Sequence, residues 1–149
     1  MSLKKKWRRK FQFINWYPPF LFSGISLKEV DEEITTIVVQ MKLRWYNRNM
    51  VGTHFGGSLY SMCDPHFMFI VMMNLGGDYI VWDKSAKINF RKPGTGTVTA
   101  KFHISLEELE RIKKEIDEIG KNTYWFKAEV LGGNGEVVAE VDKEIYVRK

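Results

Sequence analysis

The stretch Gly56-Gly57-Ser58-Leu59-Tyr60-Ser61-Met62-Cys63-Asp64-Pro65, running on into His66-Phe67-Met68-Phe69-Ile70-Val71-Met72-Met73, joins a glycine pair to a segment that is apolar almost throughout. The pattern predicts one helix from about His54 to Leu75, roughly 33 Å long at about 1.5 Å per residue. Its second half, Phe67 to Met73, is apolar on every face, so other elements must wrap it on most sides. Gly76-Gly77-Asp78 ends it. One carboxylate, Asp64, lies inside, and burying an ionised group without partners costs several kcal/mol. Asp64 therefore needs a reason, and two are open. An Asp directly before Pro65 suits the cap of a restarted helix. Alternatively, a carboxylate about two turns after Gly57, close to the same helical face, can activate water or attack directly.

Working outward, residues 34–45 alternate at their end, with Val39, Met41, Leu43 and Trp45 on one side and Gln40, Lys42 and Arg44 on the other, which predicts a half-buried strand. Four more strands are expected over 79–92, 97–104, 123–131 and 136–147, separated by turn chemistry at Pro93-Gly94 and Gly132-Gly133-Asn134-Gly135. Between the third and fourth strands, Leu106, Leu109, Ile112, Ile116 and Ile119 recur at helical spacing, and Ser105 with Glu108 reads as a capping box. A strand, a long apolar helix, then a run of antiparallel strands is an α+β arrangement in which a curved five-stranded sheet wraps the helix, with an extra amphipathic helix as a surface cover.

The 149 residues, 44% apolar and 14% aromatic, suffice for a single domain that buries about two thirds of its unfolded surface. We divide the chain into a basic N-terminal tail or helix over 1–15 and one domain over 16–149. The net charge of +5 belongs to that tail: Lys4, Lys5, Lys6, Arg8, Arg9 and Lys10 are six of the 23 basic residues, leaving 17 basic against 18 acidic side chains in residues 11–149. Such a run, with Trp7 and Phe11 interleaved, suits at most a weak contact with an anionic surface; no specific nucleic-acid partner is expected. Asn15 and Pro18-Pro19 interrupt the apolar part that follows, so no targeting segment is read, and the longest apolar run, Phe67–Met73, is too short for a bilayer span. With Cys63 as the single cysteine, no intrachain disulfide can form, and a cytoplasmic protein is expected.

A helix start after Gly56-Gly57 offers unpaired N–H groups and a partial positive charge, suited to polarising a carbonyl oxygen. Close backbone packing is the competing reason for the pair. His54, at the mouth of the helix, is a candidate for orienting a carbonyl or holding an anion, against a purely structural role. His66 is read as a partner or neighbour of Asp64 and not as an independent base, and His103 as outward-facing. No histidine pair has the i, i+4 spacing of a metal site, so no metal is expected. Ser58 and Ser61 lack the context of a nucleophile elbow and read as packing residues.

The segment Gly56–Asp64 resembles the pattern of the phenylacetic-acid-pathway thioesterases, a branch of the hot-dog fold, with the same separation from glycine to aspartate. Arg44-Trp45-Tyr46-Asn47-Arg48-Asn49, Gly52-Thr53-His54-Phe55-Gly56-Gly57 and Tyr79-Ile80-Val81-Trp82-Asp83-Lys84 resemble an uncharacterised bacterial hot-dog family, DUF4442. The likeness covers roughly 16–147. It implies a hydrolase of acyl-coenzyme A or acyl-carrier-protein thioesters, with no cofactor beyond the coenzyme A of the substrate. It also implies a homodimer, or a dimer of dimers, with sheets paired edge to edge and active sites at the interface. Gly57 N–H would polarise the thioester carbonyl, and Asp64 of the other subunit would be base or nucleophile. Gly56, Ser58 and Asn49 would help to bind substrate, and Arg91 and Lys92 would meet the coenzyme phosphates. The histidine that the pathway enzymes place before the glycine pair is Phe55 here, with His54 one residue earlier. A non-catalytic acyl or acyl-coenzyme A binding protein is the alternative, motivated by the Met-rich helix.

Overall fold

A computed structural model describes residues 3–149. Six strands form one antiparallel sheet: β1 (Ile25–Val30), β2 (Thr36–Lys42), β3 (Ile80–Phe90), β4 (Thr97–His103), β5 (Lys121–Leu131) and β6 (Val137–Arg148), in the order β1-β2-β4-β5-β6-β3. The sheet thus has one strand more than expected. The addition is β1, which pairs with β2 and carries a bulge between Leu27 and Glu29. That bulge shifts the phase by one residue, so Ile25 and Leu27 no longer alternate with Val30, and the periodicity is hidden.

The first expected strand is also shorter than 34–45, ending at Lys42. Asn47 explains this. Its buried amide donates to the carbonyls of Ser23 and Lys42 and accepts from Arg44 N–H at 2.7 Å, which turns the chain out of the sheet. Trp45, expected on the inner face, is left 83% exposed.

The expected long helix is two helices, α3 (Gly56–Ser61) and α4 (His66–Leu75). Pro65 has no N–H to offer Ser61, and its ring excludes an undistorted turn before it. The chain tightens to i→i−3 bonds, Cys63 N–H to Tyr60 O at 2.8 Å and Asp64 N–H to Ser61 O at 3.4 Å, and then restarts with Phe69 N–H to Pro65 O at 2.9 Å. Asp64 makes no side-chain cap to α4, whose N-cap is Pro65. The capping reading of Asp64 is therefore set aside.

α4 packs against β2, β3, β4 and β6, so the curved sheet does surround it. Phe67 anchors the contact, edge-on to Phe102 and stacked on Phe126, both at 5.2 Å between ring centroids. Burying such a side chain contributes about 1.5–3 kcal/mol. The amphipathic cover is α5 (Leu106–Ile119), between β4 and β5. It buries Leu109, Ile112 and Ile116, and Ser105 Oγ accepts from Glu108 N–H at 3.2 Å.

The basic N-terminal segment is helical over α1 (Leu3–Phe11) and lies on α4 through Trp7 and Phe11, which pack on Phe69 at 5.7 and 5.8 Å. Several of its cations turn back on the protein. Lys4 pairs with Glu33 at 2.8 Å, Arg8 donates to the Glu32 carbonyl at 3.3 Å, and Lys10 lies 4.4 Å over the Trp7 ring. A short 3-10 turn (Ile14–Trp16) and α2 (Pro18–Leu21) follow, pinned to β1 by Leu27 N–H on Asn15 Oδ1 at 2.7 Å.

Candidate active site

Because Pro65 breaks the helix, Asp64 leaves the helical path and its carboxylate reaches β6. Asp64 Oδ1 accepts from Lys143 Nζ at 3.0 Å and from Tyr60 Oη at 2.9 Å, and the side chain stays 49% exposed. Lys143 was not anticipated. It stands in the inward phase of β6, between Val141 and Ile145, and is completely buried. Its second counter-ion is Asp83 of β3, 3.0 Å away without the alignment of a directed hydrogen bond. Asp83 pairs across the strands with Ile145, two residues from Lys143, which makes the two side chains diagonal neighbours on one face. Tyr60 closes the cluster, its hydroxyl 3.2 Å from Lys143 Nζ.

Burial alone would depress the Lys143 ammonium; the two carboxylates beside it, Asp83 as a close counter-charge and Asp64 as a hydrogen-bonded one, outweigh it and hold the group above its ordinary range. Desolvation moves Asp83 above the usual carboxylate range, and burial with the hydrogen bond to Asp64 raises the Tyr60 phenol. Cys63, one residue from Asp64, is a poor nucleophile, since burial pushes its thiol up to about 12. A half-exposed carboxylate held at one oxygen by a cation and a phenol is suited to general-base or nucleophilic work at a defined position.

The other expected site residues gather elsewhere. Asn49, His54, Gly56, Arg91 and Lys92 line a cavity of about 420 Å³, whereas Asp64 lines a different one of about 850 Å³; Gly57 and Ser58 line neither. Gly56 and Gly57 are the first two residues of α3, whose amides have no carbonyl of their own helix to reach. A Cβ on Gly57 would lie 2.5 Å from Phe55 Cε1, and one on Gly56 would lie 2.9 Å from Phe90 Cζ. The pair thus admits two aromatic rings against the backbone. Asn49 is occupied in its own loop: its side-chain oxygen accepts from Val51 and Thr53 N–H, and its amide donates to Thr53 Oγ1 at 2.9 Å. Arg91 Nε donates to Glu140 at 2.9 Å on the outside of the sheet. Ser58 is buried, and Ser61 Oγ donates to the Gly57 carbonyl at 2.8 Å.

Each histidine is held by a contact within the fold. His54 is buried, and its Nε2–H donates to the Gly96 carbonyl at 3.0 Å, tying the loop before α3 to the β3–β4 turn; burial lowers its pKa. His103 Nδ1 lies 2.9 Å from Thr36 Oγ1 on the outer face. His66 is not bonded to Asp64 as a partner would be. It is fully buried between Phe20 and Phe102, with Nε2–H on the Met62 carbonyl at 2.9 Å and Nδ1 without a partner. Desolvation pushes its pKa down to about 4 from the ordinary 6.5.

A depressed histidine gives stability that is complete above pH 6.5 and is lost as the unfolded chain alone takes the proton down to about pH 4. The loss attributable to His66 amounts to about 3 kcal/mol. Urea unfolding between pH 7 and 4.5 should show this slope in the wild type and a shallower one in His66→Gln, whose amide can still donate to Met62. Parallel slopes would remove His66 as the cause.

The sequence pattern of the domain of unknown function DUF4442 matches residues 5–147, almost the whole chain. The chain belongs to the DUF4442 family. No curated protein matches it in sequence. Among solved structures, a Pseudomonas aeruginosa protein of unknown function, PA5026, described as a probable thioesterase, is 20% identical with a TM-score of 0.77, over 87% of this chain and 85% of its own. The protein OLEI01261 from Chlorobaculum tepidum, also of unknown function, is 19% identical with a TM-score of 0.75, over 95% and 93%. The PaaI protein from the phenylacetic acid degradation operon of Escherichia coli is 20% identical with a TM-score of 0.66, over 98% and 99%. This DUF4442 chain has the hot-dog fold of these solved structures, built with six strands.

Proposed function

We propose that this protein hydrolyses acyl thioesters, of coenzyme A or of an acyl-carrier protein, at a site completed by a second copy of the chain. The carrying observation is Asp64, displaced from the helix by Pro65 and held by Lys143 and Tyr60 at the edge of the larger cavity. The description of the neighbour PA5026 as a probable thioesterase supports the same chemistry.

Edge strand β3 supports the dimer. It pairs only with β6, and its middle residues, Lys84 to Lys87, are all exposed. Asp83 and Phe90 on β3 are separated by about 23 Å at about 3.3 Å per residue. A two-fold antiparallel pairing centred near Ala86 and Lys87 would set the Asp83 end of one chain against the Phe90 end of its mate. Phe90 is the ring that lies against Gly56, so the glycine pair of one subunit would meet Asp64 of the other. In that arrangement Gly57 N–H takes the developing oxyanion, and Asp64 activates water or attacks the thioester carbon. Lys92, on the smaller cavity, and Arg91, once shifted from Glu140, would face the coenzyme phosphates. Such substrates put the reaction in the cytoplasm. Among the described residues no helix is long and apolar enough to cross a membrane.

The size and apolar lining of the larger cavity favour one other reading, an acyl-thioester binding protein without turnover. Purified protein assayed for thiol release over a panel of acyl-coenzyme A substrates separates the two. Turnover is expected; tight binding with no thiol released from any substrate would replace hydrolysis with binding.

A further inference from the structure

The larger cavity, about 850 Å³, lies in the upper part of the size range that takes drug-sized ligands. Its floor is the α3–α4 break, with Tyr60, Asp64, Pro65, Met68 and Phe69. Its roof is supplied by residues 7–20, among them Trp7, Phe11, Ile14 and Trp16. This roof is fixed to the domain at separate points: Trp7 and Phe11 on Phe69, Asn15 on β1, and Phe20 against His66 at 5.7 Å. The ionisable groups on its wall divide by sign, with Asp64 and Asp83 on the break and β3, and Lys10 on α1. Between them the surface is aromatic and aliphatic. Two aromatic residues of the roof, Phe13 at 68% and Trp16 at 73%, are largely exposed.

We infer that this chamber holds the acyl group of the substrate, and that the N-terminal segment selects large, wholly apolar acyl groups over short ones. The inference rests on the thioesterase reading for the word substrate, but the chamber's preference for an apolar chain stands on its lining alone. The thioester end would lie at Asp64, and the chain would run beneath Trp7, Phe11 and Ile14 away from it. Each methylene that moves from water into such a lining improves binding about fourfold, so selectivity should climb with chain length until the chamber is full.

Two measurements on the full-length protein test this. Neutral alcohols probe the chamber without any reaction: 1-decanol should bind about 10²-fold more tightly than 1-hexanol, read by the fluorescence of Trp7 and Trp16. Met68→Trp, which fills the floor, should abolish most of that difference, and Ile14→Trp provides the same obstruction from the roof should the first variant fold poorly. In thioester turnover, kcat/KM should rise with acyl length in the wild type, and the optimum should move to shorter chains in either variant. Length-dependent alcohol binding that the variants reduce, with no turnover of any thioester, would uphold the chamber and overturn hydrolysis. Turnover insensitive to chain length and to both variants would overturn the chamber and uphold hydrolysis. Chain-length selectivity unchanged by both variants would place the acyl group elsewhere.

Discussion

Asp64→Asn should slow thiol release by at least about 10²-fold while leaving the protein folded. The substitution keeps the size of the side chain and an oxygen for the Tyr60 hydroxyl and the Lys143 ammonium, and Lys143 keeps Asp83 as a counter-ion. What is lost is the negative oxygen that takes a proton from water or attacks carbon. Because Asp64 does not cap α4, a fall in turnover cannot be ascribed to a frayed helix. Steady-state kinetics should show the loss in kcat, with KM little changed, since an amide still fits the cavity wall. Turnover equal to the wild type would end the assignment of Asp64.

Lys143→Met has the largest effect expected on stability. Met fills much of the same volume, so the variant chiefly removes the cation rather than opening a hole. Asp83, whose side chain is 22% exposed, then keeps a charge with no partner beside it, and removing one member of a buried pair costs about 3 kcal/mol or more. In a chain of this length, about 3 kcal/mol lowers Tm by roughly 6–12 °C. Asp83→Asn added to Lys143→Met should recover part of the loss, because a neutral pair has no charge to strand. The double variant should nonetheless remain slow in turnover, since Asp64 has lost one of the two groups that orient it. Calorimetry of the three proteins checks the stability order, and a Lys143→Met variant as stable as the wild type would show that the cluster does not support the fold.

How much of this could be read from the residues alone depends on whether the pattern was local. The strands β4, β5 and β6, the Ser105 cap and the stripe of α5 follow from period and turn chemistry, and the structure has them. β1 escaped because its bulge erases the alternation, and the single long helix was an over-extension because the restart at Pro65 was read as a reason for Asp64 and not as an end to the helix. Asp64 stood out as a carboxylate among apolar neighbours. Its partner carried the same kind of signal, a lysine in the inward register of β6, which was open to reading and was missed. Asp83 and Tyr60 gave no comparable sign, for their meeting with Lys143 depends on β3 pairing with β6 and on where the broken helix comes to lie. His54, Asn49 and Arg91 carried the right chemistry for a site, yet each is engaged by a neighbour only the fold could reveal. Nor can local pattern bring Gly57 to Asp64, since in one chain they belong to different surroundings.

The shared site is therefore the claim on which the account turns, and mixing two inactive variants tests it directly. Asp64→Asn chains lack the carboxylate, and Gly57→Val chains carry a side chain where a Cβ already meets the Phe55 ring. Unfolded together and refolded, the two should form mixed dimers in which one site of each pair is intact, restoring about a quarter of wild-type thiol release at equal mixing. Activity no higher than that of either variant alone would contradict a site built from Asp64 of one subunit and Gly57 of the other.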